Sequence, residues 1–243
     1  SNLQSLAVAL RAMPEPELLD DVAEAMVTTD TSFFRDTTPF LDLVNVAMPA
    51  LLQTRAKQKR LRIWSCGCGT GQEAWSIAMA LKNMHPQLMG WHIDIVATDL
   101  SHTALDFAAQ ATYAQFEVQR GLSVKDLLTW FDPVGKKWRV KDDLRRMVSF
   151  ESFNLIYDEM PYDRVFDIVL FRHVMDDFES DARKNALEKV SDTLADDGFL
   201  FLGPGESPAA LSWQDSPVMA LPENPGLYVL GETVLFDQDT VAQ

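Results

Sequence analysis

The amino-acid sequence predicts an α/β fold: a doubly wound, mostly parallel sheet with a small antiparallel β insert and a short helical N-terminal segment. Three observations predict it. Short apolar runs alternate with segments of helical spacing, the pattern of successive strand–helix units. The strongest runs are apolar on both faces, as in a sheet covered on both sides. A glycine-rich turn falls between the first run and the helix that follows it.

The elements follow in order. Leu3, Leu6, Ala7 and Leu10 form one apolar helical face, which Pro14 and Pro16 break. Leu18, Leu19, Val22, Ala23 and Met26 form a second. A polar joint over 28–31 leads to Phe33-Phe34-Arg35, and a further helix is expected from Pro39 to about Lys57. Leu61-Arg62-Ile63-Trp64 reads as the first strand, and 73–84 as a helix with Ala74, Ile77, Ala78 and Leu81 inward. Ile93-Asp94-Ile95-Val96-Ala97 is a second strand ending at Asp99, followed by a helix from Leu105 to about Ala111. Phe166-Asp167-Ile168-Val169-Leu170-Phe171 is a strong strand, 181–194 a helix, and Phe199-Leu200-Phe201-Leu202 a strand after the Asp196-Asp197-Gly198 turn.

Two regions break the alternation. Residues 113–150 hold β-like pieces, Lys137-Trp138-Arg139-Val140 and Met147-Val148-Ser149-Phe150, and read as the antiparallel insert. Residues 204–226 are rich in Pro, Gly and Ser and read as a long loop, after which 227–230 and 233–236 are expected to pair as a terminal hairpin. The resulting division is a helical segment over 1–38 and a main domain over 39–243, with the insert at about 113–150.

At 243 residues, 47% hydrophobic and 23% charged, the chain can bury a sizeable core. Twenty-one Lys and Arg against 36 acids leave a net charge of −15, which argues against a nucleic-acid partner and an anionic membrane surface. No apolar run approaches the roughly 18 residues of a membrane span, and no signal-peptide pattern opens the chain. Two cysteines one residue apart make no disulfide framework, so a cytoplasmic setting is expected. Cys66 and Cys68 have no matching cysteines and the histidines are scattered, so no metal is expected. Charge is uneven: residues 120–147 carry eight Lys and Arg against four acids, a net of +4, and are the expected docking place for an anionic partner.

The chemistry concentrates in Cys66-Gly67-Cys68-Gly69-Thr70-Gly71. Glycines at 67, 69 and 71 allow a tight turn and close backbone approach to a ligand. An acid ending the next strand, Asp99, suits the two hydroxyls of a ribose. Asp99 follows Gly71 by 28 residues, longer than the roughly 20 of a dinucleotide site, which leans away from NAD. A purely structural turn with a helix-capping Asp remains the alternative at this level.

These residues resemble a family. Thr31-Ser32-Phe33-Phe34-Arg35 resembles the segment that precedes the catalytic domain of CheR-type chemotaxis receptor methyltransferases. Ile63 to Ala78, through Gly67-Cys68-Gly69-Thr70-Gly71-Gln72-Glu73, looks like that family's S-adenosylmethionine loop, and Ala97-Thr98-Asp99-Leu100 like its ribose-binding strand end. Val148 to Leu155 resembles its adenine-side segment, Phe166 to Met175 its late strand and loop, and Gly198 to Gly203 with Glu206-Ser207 its closing stretch. The similarity covers about residues 28–207 in the family's order. It departs at His173, where the family has Asn, and at Asp176-Asp177, where it has a hydrophobic-Tyr pair.

The resemblance implies a Rossmann-like methyltransferase domain over 39–243, a β-subdomain at the insert and an N-terminal segment shorter than in typical members. It implies that Glu73 receives the charged amino end or a nearby group of S-adenosylmethionine, that Asp99 takes the ribose hydroxyls, and that Asn154 and Leu155 flank the adenine. Arg172 and His173 would line the pocket wall, and Thr31 and Arg35 would close over the methionine part. The methyl acceptor it implies is a glutamate of a chemoreceptor-like signalling protein, with the 120–147 insert docking a peptide. A glutamate is already ionised at pH 7, so no general base is expected, and Arg35 is the residue expected to orient the carboxylate. Two other readings stay open: a non-catalytic module that binds S-adenosylmethionine or S-adenosylhomocysteine, and a methyltransferase with a small-molecule acceptor.

Overall fold

The structure is a computed structural model and describes residues 3–12, 16–161, 166–175, 178–209 and 214–231. Two N-terminal helices, α1 (Leu3–Arg11) and α2 (Pro16–Met26), match the two apolar faces. The next helix runs as α3 (Thr38–Asp42), a π-helical turn (Leu43–Ala47) and α4 (Met48–Thr54), with helical dihedrals at each junction. Then come β1 (Arg60–Cys66), α5 (Gln72–Asn83), β2 (His92–Asp99) and α6 (His102–Gln110). Ser101 caps α6, its hydroxyl accepting from the Ala104 amide at 3.0 Å.

The insert holds β3 (Thr112–Ala114), α7 (Gln115–Gln119), α8 (Val124–Trp130), β4 (Phe131–Val134), β5 (Lys137–Val140) and α9 (Asp142–Arg145). Its three strands form an antiparallel sheet in the order β3-β5-β4. The chain then returns through β6 (Val148–Ser152), β7 (Phe166–Phe171), α10 (Ser180–Asp192), β8 (Leu194–Leu202), β9 (Val218–Ala220) and β10 (Leu227–Leu230).

The main sheet has seven strands in the order β6-β2-β1-β7-β8-β10-β9. β6, β2, β1, β7 and β8 run parallel, and β10 and β9 close one edge antiparallel. Successive strand side chains point to opposite faces, and both faces are buried. Ile63, Ile95, Ile168 and Phe201 join the core built with α3 to α5. Trp64, Val96, Val169 and Leu200 join a second core that includes Ala186, Leu187 and Val190 of α10. At about 25 cal/mol per Å² of apolar surface, two-sided burial is the main stabilising term, and it requires the continuously apolar strands seen in the sequence.

Two expectations change. Residues 147–150 do not belong to the insert: β6 pairs in parallel with β2 at the sheet edge, Ile95 opposite Val148 and Ala97 opposite Phe150. Its alternating Val148-Ser149-Phe150-Glu151 fits any half-buried strand, and periodicity alone does not choose the partner. The 204–226 loop contains β9, and β10 pairs with it across a turn. Residues 233–236 lie outside the described residues. No helix among the described residues is long and apolar enough to cross a membrane.

Candidate cofactor cleft

Strand order reverses between β1 and β7: the chain goes from β1 outward through β2 and β6, then returns to the other side of β1. Ligands of doubly wound sheets sit outside the carboxyl ends of strands at such a switch point. Cys66, Asp99 and Phe171 end β1, β2 and β7 on that side. An open cleft of about 390 Å³ lies there, lined by Thr28, Thr29, Asp30, Thr31, Arg35, Gly67, Gly69, Glu73, Arg172 and His173.

The glycine loop needs its glycines for two reasons. Gly67, Gly69 and Gly71 have φ of +74°, +53° and +92°. A Cβ on Gly67 would stand 2.3 Å from Val174 Cγ2, and one on Gly71 would stand 2.8 Å from Ala108 Cβ. The Gly69 amide donates to Asp99 Oδ2 at 2.7 Å, and the Ser101 amide to Asp99 Oδ1 at 2.9 Å. Burial pushes the Asp99 carboxyl above its ordinary value, and these backbone donors offset that only in part. Burial likewise pushes the Cys66 and Cys68 thiols up, so both stay protonated small hydrophobes rather than nucleophiles. Among the described residues, no cluster of His, Cys, Asp and Glu is suited to a metal ion.

Behind the loop lies a buried ionic chain. Glu73, at the start of α5, accepts from Ser65 Oγ and from Arg172 Nη1, each at 2.8 Å. Arg172 is 3% exposed; its Nη2 donates to the Arg35 carbonyl at 3.0 Å and to Asp36 Oδ2 at 2.6 Å. Its Nε is buried with no hydrogen-bond partner among the described residues. His173 Nε2 stands 2.7 Å from the same Asp36 oxygen. Burial pushes the Asp36 carboxyl up, but the His173 hydrogen bond and the charges of Arg172, His173 and Arg35 outweigh it and hold Asp36 below its ordinary value.

Asp36 and His173 both sit at positive φ, +66° and +59°. Such conformations cost about 1–3 kcal/mol each and persist where surrounding contacts hold them. Glu206, 2% exposed, supplies one such hold. It accepts four backbone amides: His173 (2.8 Å), Val174 (2.9 Å), Met175 (2.9 Å) and Gly203 (2.7 Å).

Of the residues singled out in the sequence, Thr31, Arg35, Gly67, Gly69, Glu73, Arg172 and His173 line the cleft together. Gly71 and Asp99 stand behind the lining, Asp99 bound to the Gly69 amide. Asn154 and Leu155 are outside it. The Asn154 Oδ1 accepts from the Ile156 and Tyr157 amides at 3.1 and 3.3 Å, and Leu155 is 6% exposed. Asp176 and Asp177 lie outside the described residues. Sequence reasoning missed Ser65, Asp36 and the role of Glu206. Glu206 stood inside a quoted motif, but its four donors come from backbone that no side-chain pattern reveals.

A wall of mixed charge, with Asp30 and Glu73 against Arg35, fits a zwitterionic ligand, and the switch-point placement beside Asp99 fits a nucleoside. By fold and site, this is a nucleoside-cofactor protein of the doubly wound class. The family described as CheR methyltransferase, SAM binding domain, matches residues 29–215. Chemotaxis protein methyltransferase Cher2 of Pseudomonas putida is 39% identical over 210 residues, 85% of this chain and 76% of that protein. Chemotaxis protein methyltransferase 1 of Pseudomonas aeruginosa is 37% identical over 194 residues, 78% and 70% of the two chains. The chain belongs to the CheR methyltransferase family and is an S-adenosylmethionine-dependent methyltransferase.

Proposed function

We propose that this protein esterifies a glutamate side chain of a chemoreceptor-like signalling protein. When bound, S-adenosylmethionine supplies a methyl carried on a sulfonium sulfur. The observation that carries the reading is the switch-point cleft, which gathers Thr31, Arg35, Glu73, Arg172 and His173 around the glycine loop.

The roles follow from charge and position. Asp99, anchored by the Gly69 and Ser101 amides, keeps lone pairs for ribose hydroxyls. Glu73 faces the amino end of the cofactor, with Ser65 and Arg172 fixing its rotamer. Arg172 acts from behind, its guanidinium fixing Glu73, Asp36 and the Arg35 carbonyl rather than meeting the ligand. Gly67, Gly69 and Gly71 keep the loop backbone close to the ligand, His173 forms the wall, and Asn154 and Leu155 bound the adenine side. Thr31 and Arg35 close the methionine end. Arg35 is held by its Nη1 donating to the Asp30 carbonyl at 2.9 Å, which leaves the rest of its fork for the acceptor carboxylate. An acceptor already ionised needs no base, so catalysis is alignment and exclusion of water.

The basic insert, with Phe116, Val124, Leu128 and Val134 exposed, is the docking place for a partner peptide. Residues 1–38 form the N-terminal segment and 39–243 the methyltransferase domain.

The test is transfer of labelled methyl to receptor-rich membranes, with release of the label by base as the mark of an ester. Arg35→Ala should abolish transfer and weaken, without abolishing, the binding of S-adenosylhomocysteine. Base-stable label, or full transfer by the variant, overturns the acceptor and the role of Arg35.

A further inference from the structure

The segment that enters the cleft is fastened by two side chains, Glu24 and Arg120, that are not among the lining residues. At one end, Glu24 of α2 reaches the N-terminus of α6. Its carboxylate accepts from Ser101 Oγ at 2.6 Å and from the His102 and Thr103 amides at 2.9 and 3.2 Å. A carboxylate from another helix thus takes the open amide donors that a cap would serve. The Ser101 hydrogen bond leads the effects that hold the Glu24 carboxyl below its ordinary value.

At the other end, Arg120 of the insert grips Asp30 through Nη1 at 2.9 Å and Nη2 at 3.3 Å. The Asp30 carbonyl holds Arg35, and the Arg35 carbonyl receives Arg172. Residues 28–31, which follow the Glu24 fastening and contain the second one at Asp30, line the cleft. The insert also presses on this segment directly: a Cβ on Gly121 would stand 1.8 Å from the Phe33 carbonyl oxygen. The Phe33 ring packs against Tyr113 and Phe131 at 5.0 and 5.6 Å, and Tyr113 donates its hydroxyl to the Thr70 carbonyl of the glycine loop at 2.7 Å.

We propose that Glu24 and Arg120 are positioning residues for the cofactor cleft, fastening the chain ahead of residue 28 and at Asp30 so that cofactor affinity depends on the insert and on α2. The proposal rests on the reading of the cleft as the S-adenosylmethionine site. Neither residue touches the reacting atoms. Each acts by raising the fraction of molecules whose cleft segment is in place, and apparent affinity scales with that fraction. Both partners of the Arg120–Asp30 pair are 59% exposed, so its loss should weaken binding only about two- to fivefold, and salt should reproduce that loss. Loss of the Glu24 carboxylate at the α6 terminus should weaken binding about fivefold.

The experiment is calorimetric titration of the full chain with S-adenosylhomocysteine at low and high salt, for Glu24→Ala, Arg120→Ala, Arg120→Lys, Asp30→Asn and the double variant of 30 and 120. Hydrogen exchange of the 28–33 amides is followed without ligand. Expected are the weakenings above with melting temperatures unchanged, an intermediate Arg120→Lys, and a double variant no weaker than the weaker single one. Exchange at 28–33 should speed up in Glu24→Ala and Arg120→Ala. Unchanged affinity and exchange, additive effects of 30 and 120, or affinity lost only in step with melting temperature would overturn the proposal. Failure of the wild type to bind would instead sink the cofactor reading, and the exchange arm would still decide the fastening.

Discussion

Glu206→Gln isolates the cradle that holds the loop after β7. The carboxylate takes two amides on each oxygen: Gly203 and His173 on Oε2, Val174 and Met175 on Oε1. Glutamine keeps the shape and one oxygen but turns the other into an N–H donor facing two N–H donors. Two bonds to a charged group are lost, each contributing about 1.5–3 kcal/mol, so the variant should lose about 3–6 kcal/mol of stability. That is a large part of the roughly 5–15 kcal/mol of a typical domain. At about 2–4 °C per kcal/mol for a chain of this size, the melting temperature should fall by about 6–24 °C. Urea unfolding should show the same loss with an unchanged slope. The site should suffer too, because the displaced amides belong to His173, Val174 and Met175, next to Arg172. A loss below about 1 kcal/mol, with cofactor affinity intact, would refute the argument that one buried carboxylate organises this loop.

Three further outcomes follow from the same geometry. Asp99→Ala should weaken S-adenosylhomocysteine binding by roughly 10- to 150-fold, the loss of one charged hydrogen-bonding group. Since burial raises the Asp99 carboxyl above its ordinary 3.8, wild-type affinity should fall with decreasing pH at a midpoint above that value, and the variant should lack that limb. Gly67→Ala places a methyl 2.3 Å from Val174 Cγ2 at φ +74° and should cost about 2–5 kcal/mol in calorimetry; adding Val174→Ala should recover only the packing share. Arg55 donates to Asp167 at 2.7 Å and to Asp197 at 2.8 Å, and its hydrogen bond leads the effects that hold the Asp197 carboxyl below 3.8. A lowered carboxyl contributes stability above its unfolded value and loses it as pH falls through the folded one. The stability gap between wild type and Asp197→Asn should therefore be constant above about pH 5 and close below 3.8.

Much of the fold was legible because two-sided burial leaves a local trace. Apolar runs such as Phe166 to Phe171 can only be central strands of a covered sheet, and glycines 67, 69 and 71 declare a turn that no side chain tolerates. β6 was misplaced because an edge strand buries one face, and its alternation reads alike beside β2 or inside the insert. The same limit hid β9, a three-residue edge piece inside a Pro- and Gly-rich stretch.

The sequence by itself determined the class of fold, the glycine loop with Asp99 beyond it, the family and hence the cofactor. These rest on short-range pattern: period, turn chemistry and ordered motifs. Only the tertiary structure decided that Arg172 is spent on Glu73, Asp36 and the Arg35 carbonyl, that Glu206 serves four amides, and that Glu24 and Arg120 fasten the cleft segment. Apart from Gly203, three positions from Glu206, those contacts join residues 31 to 137 positions apart, and many go to backbone groups alike in every residue, as with Glu206 and Met175 or Arg172 and Arg35. Their energies depend on burial and direction, and neither exists until the strands have chosen their order.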